Sequence, residues 1–134
     1  MLPQTGMTPR LPARSARLPS SMGVLAGADP LMLPLFRAGG AGCITATSNL
    51  RADALRTVWE GWQDPARADD VAAAQARIDD WRTLTNQYVQ LPTVKTMLAR
   101  SRGDSGWLNL LPPLVELAEG ERKDVWAEME KLGG

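Results

Sequence analysis

This chain of 134 residues contains no histidine, and it has one cysteine (Cys43), one tyrosine and one phenylalanine. Without histidine there is no Cys/His metal site and no Cys/His catalytic pair, and no metal or cofactor is expected. A single cysteine cannot close an intramolecular disulfide, which argues against the disulfide-stapled secreted class and for a reducing compartment, the cytoplasm. No apolar run approaches the ~20 residues of a membrane-spanning helix. Charge of either sign is not in excess: fifteen Lys and Arg balance fifteen Asp and Glu. Neither nucleic acid nor an anionic membrane is therefore an expected partner. The length suits one domain with a single core.

Residues 1–21 stand apart. They hold Pro3, Pro9, Pro12 and Pro19 with Arg10, Arg14 and Arg17, and no acid. The apolar core of a signal peptide is missing, and the prolines oppose the amphipathic helix of a transit peptide. A disordered tail outside the fold is expected here.

The chain is organised around Met22–Asn49. Two short apolar runs, Gly23–Ala26 and Cys43–Thr47, flank a segment that opens on Asp29-Pro30 and closes on Gly39-Gly40. That punctuation predicts a strand, a crossover helix and a second strand, with Asp29 as helix cap and Pro30 in the first turn. The runs lack strict alternation, as in parallel strands buried on both faces. Leu31, Leu35 and Ala38 form the helical stripe. Pro34 conflicts with it, so the helix is expected to start late or bend.

Helical periodicity then dominates. Leu55, Val58, Trp59 and Trp62 share a face over Arg51–Gln63, which Asp64-Pro65 ends. In Ala66–Tyr88 the positions Val71, Ala74, Ile78, Trp81, Thr85 and Tyr88 recur at alternating spacings of three and four, a stripe for intramolecular packing or for a coiled-coil partner. Shorter helices are expected over Pro92–Ser101 and Glu119–Leu132. Between them lie a turn-rich stretch, Arg100–Gly106, and an extended, Pro-punctuated one, Trp107–Leu117.

Gly27-Ala28-Asp29, followed by Gly39-Gly40-Ala41-Gly42-Cys43-Ile44-Thr45 and Asn49, resembles strand seven, helix seven and strand eight of the dihydrodipicolinate synthase / N-acetylneuraminate lyase family. Leu91-Pro92-Thr93-Val94-Lys95 and Leu111-Pro112-Pro113-Leu114 extend the likeness, so that it covers 22–132. The resemblance implies an α/β fold, the C-terminal part of a TIM (β/α)8 barrel. A whole barrel typically needs about 250 residues. It further implies a class I aldolase or lyase that forms a Schiff base with pyruvate or another 2-oxo acid and joins or releases an aldehyde.

What the resemblance implies for single residues is narrower. Ile44 matches the isoleucine that contacts bound pyruvate, and Gly27 the glycine beside the imine. Asp29 matches a carboxylate near the second-substrate pocket in part of the family, and Thr45, one residue past Ile44, is a weaker candidate for that pocket or a packing residue. Pro30 and Ala46 stand where the sialate-cleaving branch has glutamate and serine, which argues against that branch. Ala28 departs from the Gly-Asp-Asp of many dihydrodipicolinate synthases, leaving the aldehyde open. The imine lysine belongs to the preceding strand, and counting back lands near Leu2 in the dissimilar tail, so that lysine is expected to be absent. Lys95 falls on a helix outside the lumen, and Lys123 and Lys131 lie on a charged surface.

Three readings follow. The chain is the C-terminal piece of a pyruvate lyase, inactive by itself. Alternatively it is one half of a two-chain lyase completed by an N-terminal barrel half, or a homo-oligomer like full-length relatives. The third is a non-catalytic helical interaction module using the Val71–Tyr88 stripe.

Overall fold

Two short strands, β1 (Leu25–Ala26) and β2 (Gly42–Cys43), pair in parallel with Leu25 opposite Gly42 and Ala26 opposite Cys43. The structure is a computed structural model that describes residue 19 and residues 21–133. Apart from 19 and 21, the expected 1–21 tail lies outside the described residues. Among the described residues five α-helices accompany the strands: α1 (Met32–Arg37), α2 (Ala52–Gly61), α3 (Ala68–Thr85), α4 (Gln90–Arg102) and α5 (Glu119–Lys131).

The crossover resolves the Pro34 conflict by starting late. Asp29–Leu31 forms a tight 3-10 turn, and α1 begins only at Met32. Pro34 then falls in the first turn, where backbone N–H groups have no intrahelical acceptor to lose. Asp29 does not cap: the turn is preceded by Ala28, and no side-chain cap bond forms. At the other end Gly39 takes a φ of 86°, and the Gly40 N–H donates to the Leu35 carbonyl at 2.8 Å. A Cβ on Gly40 would sit 2.9 Å from that same carbonyl oxygen, so the closing turn admits no side chain there.

The strands depart from expectation in one respect. They are buried on one face only: Ala26 is fully buried, whereas Leu25 and Ile44 are 47% and 72% exposed. The helices cover a single side of the pair, and among the described residues the other side meets no helix.

Two apolar clusters make the interior, and α3 belongs to both. Val71, Ala74 and Ile78 pack with Met32, Leu35 and Phe36 of α1 and Leu55 and Val58 of α2. One turn further on, Trp81 and Leu84 pack with Met97 of α4, Leu117, and Val125 and Met129 of α5. The stripe that would serve a coiled-coil partner is thus consumed inside the chain, through Thr85. Tyr88 lies beyond the helix end and is half-buried.

Local chemistry sets the other boundaries. The Asp64 carboxylate accepts from the Ala66 N–H at 2.9 Å and opens the turn that leads into α3. Helix α4 begins at Gln90, placing Pro92 in its first turn, and ends on Gly103 with φ 62°. A left-handed residue in that position suits glycine and returns the last carbonyls to the chain. Glu121 accepts from the Ala118 N–H at 2.8 Å at the start of α5, and Trp126 Nε1 donates to the Thr96 carbonyl at 3.2 Å, pinning α5 to α4. No helix among the described residues is long and apolar enough to cross a membrane.

Because Ile78 is fully buried in the first cluster, Ile78→Ala is expected to lower unfolding free energy by about 2–4 kcal/mol in urea titration. Lys123→Ala removes an exposed pair with Glu119, and its loss should stay below about 0.5 kcal/mol.

Candidate functional site at the carboxyl edge of the strand pair

A parallel pair covered by helices leaves its chemistry to the loops at the strand carboxyl ends. Here the last ladder bond runs from the Ile44 N–H to the Ala26 carbonyl at 2.9 Å. The register that sets Ala26 opposite Cys43 therefore brings Gly27 and Ile44 side by side immediately beyond it. Side chains alternate along a strand, so Leu25 and Gly27 share the open face with Ile44.

Among the described residues nothing requires Gly27 to be glycine. A Cβ built there meets no atom within 4 Å, and its φ lies outside the left-handed region. The absent side chain keeps the surface beside Ile44 bare.

Directly behind this edge the chemistry reverses. Asp29 is fully buried, and its Oδ2 accepts a hydrogen bond from the Thr47 hydroxyl at 2.9 Å. The Arg82 guanidinium lies 3.6 Å from the same oxygen. Gln75 Nε2 donates to the Asp29 carbonyl at 3.2 Å and to Asp79 Oδ1 at 2.9 Å. A buried carboxylate is tolerated only with such donors or a counter-charge. Asp29 Oδ1 and the Thr45 hydroxyl, both buried, have no hydrogen-bond partner within the described residues.

The four expected site residues thus divide. Gly27 and Ile44 meet on the open face. Asp29 and Thr45 are buried on the helix-covered side, and neither reaches that face. Lys95 sits on α4, where its ammonium donates to the Asn109 carbonyl. Sequence reasoning passed over Thr47, Gln75 and Arg82. Their signal was present: Gln75, Asp79 and Arg82 are spaced four and three apart, a polar row flanking the Val71–Thr85 stripe.

Two groups near the edge are shifted. The half-buried Cys43 thiol is pushed up by burial and, secondarily, by the Asp29 charge, so it stays protonated and weakly nucleophilic. Asp79 is also pushed up, chiefly by burial. The Gln75 bond opposes the rise, and Asp29 and Asp80 add to it. Asp79 lines an open groove of about 1160 Å³, together with Ala28, Pro30, Asp80, Arg82 and Glu128. Three carboxylates against one guanidinium make it a poor seat for an anion. No cluster of three or more His, Cys, Asp or Glu that could hold a metal occurs among the described residues.

The Dihydrodipicolinate synthetase family is matched over residues 5–132, reaching into the segment expected to fall outside the resemblance. An uncharacterized DapA-like lyase of Chloroflexus aurantiacus is 30% identical over 115 residues, 81% of this chain and 35% of that protein. The crystal structure of dihydrodipicolinate synthase from Aquifex aeolicus superposes with a TM-score of 0.78 at 19% identity, covering 92% of this chain and 41% of that one. YagE, a prophage protein of the dihydrodipicolinic acid synthase family from E. coli K12 in complex with pyruvate, gives 0.71 at 19% identity, with 83% and 37% covered. The fold is that of part of a TIM barrel, and the chain spans well under half the length of these relatives.

Two outcomes follow from the shifted groups. Cys43 should react with an aromatic disulfide reagent at pH 7 more slowly than free cysteine does, and as a single slow phase. For Asp79 the raised value means that, from the ordinary Asp range up to that value, the folded state binds more protons than the unfolded one. Stability therefore falls as pH rises through this window. Asp79→Asn keeps the acceptor for Gln75 and should give a small rise in Tm at neutral pH with a flatter acid-side profile by calorimetry.

Proposed function

The chain belongs to the Dihydrodipicolinate synthetase family, and from that membership we propose that its strand-end face forms one wall of a pyruvate-binding Schiff-base lyase site. Carbon–carbon lyases of this kind attack the pyruvate carbonyl with a lysine amine and lose water to give an imine. By the resemblance, the lysine and its proton relay come from strands outside this segment. This segment contributes shape. Ile44 lays an apolar side chain against the pyruvate methyl group, and Gly27 leaves room for the imine carbon beside it.

The observation that carries this reading is Gly27. Among the described residues neither packing nor backbone conformation calls for glycine there, so the empty position serves something that approaches the open face. That face also exposes Leu25 and Ile44, apolar surface that the remaining strands of a barrel would cover on this chain or on a second one. Asp29 and Thr45 support the wall from behind, and the aldehyde is met by groups from the rest of the barrel. No lysine within the segment replaces the missing one: Lys95 is engaged on α4, and Lys123 and Lys131 pair with Glu119 and Glu128 on the surface. The reaction belongs to the reducing cytoplasm.

Trapping with pyruvate and borohydride tests this, read by mass spectrometry. The 134-residue chain alone is expected to gain no pyruvyl adduct, and one is expected once the missing barrel strands are supplied. An adduct on Lys95, Lys123 or Lys131 of the chain alone would overturn the assignment. In the assembled barrel Gly27→Leu should slow trapping by about 100-fold, since displacement of a reacting group by an ångström has effects of that order.

A further inference from the structure

The ladder that joins β1 to β2 is short, with two residues in each strand. Flanking backbone bonds run from Ala41 N–H to the Val24 carbonyl at 2.8 Å and from Ile44 N–H to the Ala26 carbonyl at 2.9 Å. Beyond Ile44, the next bond across the edge among the described residues is the buried one from the Thr47 hydroxyl to Asp29. Asp29 follows Gly27 by two positions and Thr47 follows Ile44 by three, so this bond ties together the two loops that carry the open-face residues.

We propose that Arg82, acting through Asp29 and Thr47, is a positioning residue that sets the spacing of Gly27 and Ile44 at the strand ends. This rests on the reading of that edge as a pyruvate wall. Arg82 provides the only ion pair that reaches Asp29 among the described residues, and its side chain is 20% exposed while that of Asp29 is fully buried. Gln75, from the same face of α3, holds the Asp29 carbonyl. On its other side, the Arg82 guanidinium faces the side-chain amide of Gln90 on α4. Helix α3 thereby grips both the charge and the backbone of the β1 loop, and the Thr47 hydroxyl passes that grip to the β2 loop. Removing the cation leaves a buried carboxylate with one hydroxyl donor, a state relieved by shifting the loop toward solvent. Neither Arg82 nor Thr47 touches the open face, so their action on substrate is indirect.

Amide hydrogen exchange on the full chain, resolved by NMR, tests the proposal without any ligand. In Arg82→Met and Thr47→Val, exchange at the Ile44 amide is expected to accelerate about tenfold or more, as local opening does when a charged or buried bond is lost. Amides at Val125 and Met129 in α5 should keep their rates. Thr47→Ser and Arg82→Lys, which retain the hydroxyl and the charge, should restore most of the protection. An unchanged Ile44 rate, or uniform acceleration in α5 as well, would overturn the proposal. In the assembled lyase, the same variants should raise the pyruvate concentration for half-maximal borohydride trapping with little change in the saturating rate. An unaltered half-saturation point would count against positioning. Absence of trapping in the wild type would instead defeat the lyase reading, and the exchange result stands apart from it.

Discussion

A carboxylate withdrawn from water must be met by donors or by a cation, and Asp29 is met by both. Its partners come from separate elements: Thr47 follows β2, while Arg82 and Gln75 lie on α3. Two other pieces of chain therefore converge on the β1 loop and its buried charge. With strands this short, backbone pairing alone is a weak tie, and the convergence on Asp29 gives the strand ends a defined relation to the helices.

Helix α3 extends that relation through the whole chain. Its first half closes the cluster around Met32, Phe36 and Val58, and its second half closes the cluster around Met97, Val125 and Met129. The polar row Gln75, Asp79 and Arg82 runs alongside the apolar stripe and meets the β1 loop where the two clusters join. One helix thus contributes to both clusters and to the polar contacts of the β1 loop. Membership of the Dihydrodipicolinate synthetase family gives that edge its chemical meaning, since active sites of TIM barrels are built at the carboxyl ends of strands.

Charge separates the two concave or open surfaces at this end of the molecule. The groove beside Arg82 is lined by Asp79, Asp80 and Glu128, whose field repels a 2-oxo acid. The open strand face offers Leu25, Ile44 and the bare Gly27, apolar and uncharged.

Much of this architecture was legible in the residue order. Helical periodicity located α2, α3, α4 and α5 to within a few residues, because apolar spacing reports directly on which face is buried. The Asp-Pro and Gly-Gly punctuation located the βαβ unit, and the Pro34 conflict correctly implied a late helix start. The family signature around Gly27 and Ile44 was readable because glycine and isoleucine there form a local pattern. Other features depended on partners distant in the chain. Asp29 read as a helix cap on local grounds, yet it bonds Thr47 and Arg82, since a longer-range hydroxyl and cation offered it more than the adjacent N–H groups. The apolar strands read as buried on both faces, but the described residues supply helices for one side only. Sequence by itself determined the elements and the family, because those rest on short-range spacing. Tertiary structure decided which polar groups are buried together and which face stays open, because both depend on residues brought close only by folding.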